Sequence, residues 1–427
     1  MYVNDLFAKE DVNVNEQIRT QHVHKKEKCR FLWVLQRPSG LEYFRRSYMK
    51  KVGMVVLCLV LACSFAFANG QSEKSGATAT KKPLIGVSIW SSTDTLGSQC
   101  KRILDAAASA LNVDIMYVDQ GHISEQVTAS AETLCAAGCD GIVICNSASA
   151  EMTSVINTCT ENKVYCAQFF RIINQKDNPN EYALACKSPY YVGAVHENEI
   201  DNGMNLVKIL CEKGCRKIAL EAWEAGDATF LLRWQGYKAG IEKWNKENPN
   251  DKAVLLDPQY GGTTSDTGRA TAEAIINANP DIDALIVAGG GGDTLVGALA
   301  AIDSMGLKGK IAVVSTDFLA DLDKQLASGG MAAESGGHYC DPLFAFMLVY
   351  NAIKGNYKTS TDSFYEINFP YLYVASPEDY AAYAKYFVND LPYNADELRA
   401  MATLSVEDLT KKAASLSIED VQSRRSK

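Results

Sequence analysis

Short apolar runs alternate with longer amphipathic stretches along this chain, and that alternation constrains the fold more than any other feature. In the first half, stretches of helix length separate the apolar runs Leu84–Ile89, Asp114–Val118, Gly141–Cys145 and Val164–Phe169. Near-continuous apolar strands separated by helices are typical of a parallel sheet that helices cover on both faces. This half therefore predicts an open α/β sheet.

The same alternation starts again in the second half. Its apolar runs are Tyr191–Val195, Lys217–Glu221, Val254–Leu256, Ala284–Ala288 and Ile311–Ser315. Two successive patterns of this kind predict two similar lobes, each built on a doubly wound parallel sheet. Because ligands bind beyond the carboxyl ends of the strands in such sheets, the loops after the strands are where we expect a site.

Those loops carry side chains that suit a small polyhydroxylated ligand. They combine aromatic rings, hydroxyls, amides, carboxylates and two arginines, in the segments Trp90–Asp94, Asn146-Ser147, Phe170-Arg171, His196–Glu199, Trp223–Asp227 with Arg233, Thr316-Asp317 and Gly336–His338. Planar donors and acceptors beside an aromatic ring match the OH groups and CH faces of such a ligand. Each residue also has an ordinary alternative, since loop Asp and Asn often cap helices and tryptophans often pack in cores.

A segment near the N-terminus has the three parts of a secretory signal peptide. Met49-Lys50-Lys51 is a basic start, Val52–Phe67 is a short apolar run, and Ala66-Phe67-Ala68 supplies the small residues of a cleavage site. This combination predicts a signal peptide over residues 49–68, with cleavage after Ala68. A retained anchor helix is the alternative, although the run is short for a membrane span.

The neighbouring segments are interpreted from this signal. Residues 1–48 show no clear periodicity and are interpreted as an upstream extension, with a small tethered cytoplasmic domain as the alternative. Residues 69–82 are rich in Ser, Thr, Gly, Ala and Lys, which predicts a flexible linker. We expect a periplasmic or extracellular protein. Lipid attachment at Cys63 is the alternative to cleavage, because Val60–Cys63 loosely resembles a bacterial lipobox.

Charge and motif content argue against several classes of function. The net charge of −9 argues against a nucleic-acid partner. The five histidines form no His-x-x-x-His motif and no Gly-x-Ser-x-Gly elbow is present, so we expect neither a zinc site nor a hydrolase. Gly289–Asp293 lacks the spacing of a dinucleotide or phosphate loop and is interpreted as a loop kept small, with an anion site as the alternative. We expect no enzyme activity, cofactor or metal.

Ten of the 13 cysteines follow the predicted cleavage site. The segments Cys135–Cys139 and Cys211–Cys215 repeat one spacing around a glycine that suits the end of a helix. Such a pair forms either a local disulfide or packed free thiols, and we favour mostly free thiols. Because the two pairs fall in separate lobes, a shared four-cysteine metal site is not expected.

Several motifs, in order and spacing, resemble those of one family. They are Asn198–Gly203, Arg233–Tyr237 (Arg-x-x-Gly-Phe in the family), Asp281–Val287 before Gly297–Leu299, Ile311–Asp317 (Val-Val-Gly-Phe-Asp, here with Ser315-Thr316 replacing Gly-Phe) and Leu326–Ala333. From Pro83 to about Val374 the chain resembles a periplasmic sugar-binding protein of the ribose- and galactose-binding type. These are type I solute-binding proteins of ABC importers.

The resemblance implies specific ligand-binding residues. It places sugar contacts at Asn146, Arg171, Arg233 and Asp317, puts Ser92 and Glu199 where the family has Asn, and brings a family Gln position onto Gly337 or His338. The chain departs from the family at Phe170, where an Asp usually grips sugar hydroxyls, and at Gly291, where the family has an Asn. Trp90 and Trp223 complete the candidate set as aromatic plates.

Arg233 is expected to be the principal ligand anchor, because a guanidinium offers a rigid fork to two hydroxyls or a carboxylate. The alternative is an ion pair with Asp227 or Glu224 inside its own lobe.

The expected fold is α/β, with two doubly wound parallel-sheet lobes joined by a three-crossover hinge, as in type I periplasmic binding proteins. Lobe one is expected over residues 83–193 plus 338–365, and lobe two over 194–337 plus 366–376. Residues 377–427 are expected to form a helical C-terminal extension that packs on one lobe.

The function that the resemblance implies is capture of a small solute in the cleft between the lobes. The solute is expected to be a sugar or sugar derivative. The loaded protein, a monomer, would deliver it to the membrane permease of an ABC importer. The alternative is a ligand sensor that passes its closed state to a membrane kinase or chemoreceptor.

Overall fold

The computed structural model describes residues 81–288 and 293–426. The interpretations of the upstream extension, the signal peptide, Cys63 and almost all of the linker fall outside this part, as does Gly291. Within the described residues, no helix combines the length and apolarity needed to cross a membrane.

The first lobe is built on a six-stranded sheet in the order β12-β5-β4-β3-β1-β2, with every neighbouring pair parallel. Its strands are β1 (Leu84–Ile89), β2 (Asp114–Asp119), β3 (Gly141–Ile144), β4 (Tyr165–Phe169), β5 (Tyr191–Glu197) and β12 (Tyr365–Phe369). The inner strands are buried along almost their whole length, which is why they read as continuous apolar runs.

The second lobe is built on a seven-stranded sheet. Six of its strands run in the order β13-β11-β10-β9-β6-β7, and β8 pairs separately with β6. These strands are β6 (Lys217–Ala222), β7 (Val254–Leu255), β8 (Gln259–Tyr260), β9 (Ala284–Val287), β10 (Ala312–Thr316), β11 (Ala333–Gly336) and β13 (Leu372–Val374). Only β13 is antiparallel to its neighbour, β11. The predicted class of two parallel α/β lobes is confirmed.

Helices cover both sheets and continue beyond them. They are α1 (Thr95–Leu111), α2 (Ser124–Ala136), α3 (Glu151–Asn162), α4 (Pro179–Lys187), α5 (Glu199–Glu212), α6 (Ala228–Glu247), α7 (Ser265–Ala278), α8 (Asp293–Ser304), α9 (Leu322–Ala327), α10 (Asp341–Ile353), α11 (Pro377–Tyr383), α12 (Ala395–Met401), α13 (Val406–Ala414) and α14 (Ile418–Arg425). A short 3₁₀ turn, His338–Cys340, precedes α10, and a π-helical turn, Ala384–Val388, follows α11.

Three crossovers join the lobes, and two of them lie a few residues from the expected boundaries. The strand Tyr191–Glu197 was expected to enter the second lobe from its fourth residue, but it pairs with β4 and β12, which both belong to the first sheet. The strand Tyr365–Phe369 was expected to change lobes after its first residue, but it pairs with β5 throughout. An apolar strand has the same local pattern in either sheet, so only the pairing decides its lobe.

Helix α10 forms the centre of lobe one. Nearly all of its residues are buried, and it packs against β3, β4 and β5. Gly141 allows α10 to pack close to β3, because a Cβ atom at this position would lie only 2.2 Å from Cγ1 of Val349. A helix that is apolar on nearly all sides belongs in a core, and here the C-terminal extension covers its outer face.

The C-terminal extension contacts both lobes, whereas one lobe was expected. Helix α11 packs against α9 and β13 of lobe two, where the ring of Tyr383 lies 4.5 Å from that of Phe318. The extension then passes to lobe one, where the Tyr339 hydroxyl donates to the Phe387 carbonyl oxygen over 2.9 Å. Helix α12 packs on α1, and α13 packs on β12. The extension is therefore a further connection between the lobes.

Because the extension is part of the core of lobe one, truncating one of its buried side chains should destabilise the whole lobe. Leu409 on α13 is fully buried, and Leu409→Ala is expected to lower the free energy of unfolding by about 2–5 kcal/mol. Val388 is 39% exposed, so Val388→Ala is the control and should change it by less than about 0.5 kcal/mol. Urea denaturation measures both, and equal effects would contradict this packing.

Candidate functional site

A cavity of about 720 Å³ lies between the lobes. Its walls come from the loops that follow β1, β2, β3 and β4 in lobe one, from the loops that follow β6 and β10 in lobe two, and from the three crossovers. The carboxyl ends of the strands of both sheets therefore meet at this cavity, as the doubly wound pattern requires.

Most of the predicted site residues line this cavity. They are Trp90, Arg171, Glu199, Trp223, Arg233, Asp317 and His338. The fold thus brings together side chains that are far apart in sequence; the most distant two, Trp90 and His338, are separated by 248 positions. Their roles in binding remain predictions that the geometry alone does not test.

Ser92 and Asn146 lie outside the lining of the cavity. The Ser92 hydroxyl donates to Asp119 over 3.0 Å, which ties the loop after β1 to the end of β2. The Asn146 side chain accepts from Gln168 over 2.6 Å and donates to the Ala148 carbonyl oxygen over 3.0 Å. Both side chains therefore bond within lobe one and shape the loops behind the cavity wall.

Arg233 is held in a buried network with Glu199. Its Nε donates to Oε2 of Glu199 over 2.7 Å, and one terminal nitrogen donates to Oε1 over 3.3 Å. The Tyr371 hydroxyl accepts from the same nitrogen over 3.2 Å and donates to Glu199 over 2.9 Å. The Ala288 carbonyl oxygen accepts from the other terminal nitrogen over 3.2 Å.

This network does not match the alternative considered for Arg233. Its ion-pair partner is Glu199, rather than Asp227 or Glu224. The Asp227 side chain instead accepts from the Phe230 backbone N–H over 2.6 Å and caps α6. Because Glu199 begins α5 at the first crossover and Tyr371 lies in the third, the pair joins lobe two to the hinge.

Aromatic rings from lobe one form one wall of the cavity. The rings of Trp90 and His122 are stacked, with centroids 5.6 Å apart and planes within 3°. Phe170 lies 5.7 Å from Trp90 and 5.0 Å from His338. The Trp90 Nε1 donates to Asp94 over 2.5 Å, which fixes the indole. An apolar wall of this kind suits the CH face of a ring-shaped solute.

Two residues that line the cavity carry buried polar atoms without a hydrogen bond to the protein. Oδ1 of Asp317 and Nδ1 of His338 are buried and make no hydrogen bond within the described residues, although His338 Nε2 lies 3.2 Å from Oδ1 of Asp317. Burial lowers the pKa of His338, so its imidazole is neutral at pH 7. Buried polar groups are normally hydrogen-bonded, so these atoms point to a ligand.

Arg171 is the cation of the cavity without an ion-pair partner in the part of the chain that the structure describes. Its guanidinium donates to the Phe170 carbonyl oxygen over 2.9 Å. Phe170 itself has a left-handed backbone, with φ of 59°, and its N–H donates to Oδ1 of Asp341 over 3.1 Å. The remaining donors of Arg171 suit ligand oxygens.

Two buried carboxyl groups lie behind the aromatic wall. Burial and the charge of Glu199 raise the pKa of Glu197 to about 8. Burial and the neighbouring Glu197 raise the pKa of Asp341 well above its usual range. Glu197 ends β5 at the first crossover and Asp341 begins α10 after the second, so the pair lies at the hinge.

The lining residues that sequence reasoning missed include His122, Glu197 and Tyr371. His122 lies in the loop after β2, which is a position that the rule on carboxyl ends of strands identifies. Glu197 lies in the segment His196–Glu199, where the resemblance points to Glu199 instead. Tyr371 gave no local signal, because it lies in a two-residue connection whose position depends on the pairing of β12 and β13.

The described residues contain no group of three His, Cys, Asp or Glu side chains placed to hold a metal ion. Their ten cysteines, including both glycine-spaced pairs, are free thiols. With its aromatic wall, one unpaired guanidinium and unpartnered acceptors, the cavity is suited to binding a small polar molecule.

Removing the Arg233 side chain should lower the stability of the fold. Arg233→Ala leaves the Glu199 carboxylate buried without its cation, and the expected loss in the free energy of unfolding is about 3–5 kcal/mol. Arg269→Ala is the matched control, because Arg269 pairs on the surface with Glu273 and should contribute less than about 1 kcal/mol. Chemical denaturation of both variants measures the two free energies of unfolding. Equal losses in the two variants would contradict the structural role of the Arg233–Glu199 pair.

The raised pKa of Glu197 predicts a pH dependence of stability. Between its ordinary pKa of about 4.3 and its folded value of about 8, the folded state keeps a proton that the unfolded chain has released. The contribution of Glu197 to the free energy of unfolding therefore falls as pH rises, and this contribution is lost completely above about pH 8. Urea unfolding at pH 5 and pH 8 should show a smaller fall for Glu197→Gln than for the wild type.

The control for this experiment is Glu247→Gln, since Glu247 is exposed near the C-terminal end of α6. It should reproduce the wild-type fall. If Glu197→Gln also reproduces it, the buried Glu197 does not hold the extra proton.

Comparison with known structures agrees with this geometry. A periplasmic solute-binding protein of an ABC transporter from Actinobacillus succinogenes, solved with D-allose, is 16% identical with a TM-score of 0.59, covering 70% of this chain and 98% of its own. One from Bacillus halodurans, solved with myo-inositol, is 18% identical with a TM-score of 0.58, covering 73% and 100%. A glucose-galactose binding protein from Geobacillus stearothermophilus is 17% identical with a TM-score of 0.57, covering 70% and 99%.

At these identities the similarity shows a shared fold. A search of curated proteins found no match. The family described as the periplasmic binding protein domain matches residues 85–337, more than half of the chain. That range runs from β1 to the second crossover and includes the strands whose loops form most of the cavity. The chain belongs to the periplasmic binding protein domain family.

Proposed function

We propose that this protein captures a small polar solute, a sugar or sugar derivative, in the cavity between its lobes. The proposal rests mainly on the observation that both lobes contribute to the cavity. Lobe one supplies the aromatic wall of Trp90 and Phe170, and lobe two supplies Asp317 and the Arg233 network. A solute with CH faces and several hydroxyls uses both sides at once.

The solutes named for structurally similar proteins support this class of ligand. D-allose and myo-inositol are polyhydroxylated rings, as are glucose and galactose. We propose that all seven lining residues predicted from the sequence contact or position the solute. Ser92 and Asn146 would act indirectly, through the loops that they hold.

The mechanism follows from a ligand that touches both lobes. Such a ligand binds the closed arrangement more tightly than an open one, so it shifts the population toward closure. The closed, loaded form is then the species that a partner distinguishes from the empty one. We propose that this partner is the membrane permease of an ABC importer.

The cellular arrangement is part of the same proposal. The predicted signal peptide over residues 49–68 would export the protein as a monomer to the periplasm or the cell exterior. Lipid attachment at Cys63 would instead hold it at the membrane surface, beside a permease. In either form the folded domain binds its solute without turnover.

A ligand screen on the full chain tests the function. Sugars, polyols and nucleosides are compared by thermal shift, since a ligand that binds only the folded state raises the melting temperature. A sugar or polyol is expected to give a saturable rise, with a lower radius of gyration in small-angle scattering on saturation. Arg171→Ala should remove the rise, and Arg399→Ala should keep it, because Arg399 pairs with Asp396 on the surface.

A screen in which no sugar, sugar derivative or polyol gives a shift would refute the proposed ligand class. A saturating ligand that leaves the radius of gyration unchanged would refute closure while leaving binding intact.

A further inference from the structure

We propose that the solute carries an amine that is protonated at neutral pH, so that the ligand is an amino sugar or another polyhydroxylated amine. This inference rests on the proposed function and specifies its ligand.

Negative charge exceeds positive charge around the cavity. Among the described residues, the carboxyl groups that line it are those of Asp94, Glu197, Glu199, Glu224, Asp227 and Asp317. Burial and the charge of Glu199 raise the pKa of Glu197 to about 8, so Glu197 adds little to the negative charge at pH 7. The lining cations are Arg171 and Arg233. Burial lowers the pKa of His122 to about 4 and also lowers that of His338, so neither imidazole adds positive charge at pH 7.

The protein uses part of this charge itself. Glu199 is neutralised by Arg233. Asp94 accepts from the Trp90 indole and from the Gly97 backbone N–H over 2.7 Å. Asp227 caps α6. These carboxylates therefore have protein partners that hold them in place.

Asp317 and Glu197 are different. Oδ1 of Asp317 is buried without a hydrogen bond, and its neighbour His338 is neutral. Oε1 of Glu197, on a residue only 6% exposed, is likewise without a hydrogen bond, but the pKa of this carboxyl is raised to about 8, so it is mainly protonated at pH 7 and adds little negative charge. Both residues line the cavity, and the free oxygen of Asp317 is the acceptor that a ligand must satisfy.

An ammonium group satisfies this arrangement better than a hydroxyl does. It brings three donors and a full positive charge, whereas a hydroxyl brings one donor and no charge. Charge-assisted hydrogen bonds are about twice as strong as neutral ones, and the effect is largest where water is excluded. A neutral sugar would leave the Asp317 carboxylate uncompensated in the closed cavity.

The same cavity requires the ligand to be more than a simple amine. Arg171 has guanidinium donors and no carboxylate partner in the described part of the chain. Those donors can bind oxygen atoms of a ligand, and the rings of Trp90 and Phe170 can pack against the CH face of a ligand ring. The combination points to a ring with hydroxyls and one ammonium group.

Matched ligand pairs on the full chain test this inference. D-glucosamine is compared with D-glucose, and D-galactosamine with D-galactose, by calorimetry at about pH 7; the N-acetylated sugars serve as neutral controls for size. The amine of at least one pair is expected to bind about tenfold tighter or more than its neutral partners, which corresponds to one charge-assisted contact. Its advantage should largely persist in about 0.5 M salt, because salt screens a buried charge pair much less than an exposed one.

A variant pair locates the effect. Asp317→Asn keeps the size of the side chain and removes its charge, so the preference for the amine should fall to about twofold or less. Asp303→Asn removes an exposed carboxylate of lobe two and should keep the full preference. If Asp317→Asn does not fold, the matched ligands on the wild-type chain still decide.

The outcomes separate the inference from the function on which it rests. If the neutral sugars bind as tightly as the corresponding amino sugars, the proposal of an amine ligand is refuted, but the proposed capture of a sugar is not. n-Butylamine binding as tightly as the amino sugar would overturn the requirement for hydroxyls. If no sugar, polyol or amino sugar binds at all, the proposed function itself fails.

Discussion

The buried pair of Arg233 and Glu199 is the interaction on which the site depends. A guanidinium in a cavity wall needs a compensating charge, and here the carboxylate comes from the first residue after the first crossover. Tyr371, from the third crossover, completes the network. Because breaking such a pair leaves a buried charge unpaired, the helix start of lobe two and two of the three connections are held in one arrangement.

That arrangement explains how the two walls of the cavity face each other. On the side of lobe one, the carboxyl of Asp341 holds the backbone of Phe170, and Phe170 packs against both Trp90 and His338. The hinge is thus also part of the aromatic wall. Under the function proposed above, a solute on this wall would also contact residues at the crossovers, and that contact would couple binding to closure.

The C-terminal extension adds a constraint that the two-lobe pattern does not require. Its Tyr383 packs against Phe318 in lobe two, and its helices α12 and α13 then pack on lobe one, α12 against α1 and α13 against α10 and β12. Phe318 also lines the cavity. Under the proposed mechanism, a movement between the lobes would have to preserve or break this packed aromatic contact at the edge of the cavity, in addition to moving the hinge.

The alternation of apolar runs and amphipathic stretches by itself determined the α/β class, the two lobes and the strand ends at which a site forms, because strand burial and helix amphipathicity are local properties of a sequence. Tertiary structure decided which sheet receives β5 and β12, which carboxylate pairs with Arg233, and that Tyr371 reaches the cavity. It also decided that Asn146 bonds to Gln168 and stays behind the wall. Strand pairing and buried charge pairs join residues far apart in the chain, so no local pattern specifies them.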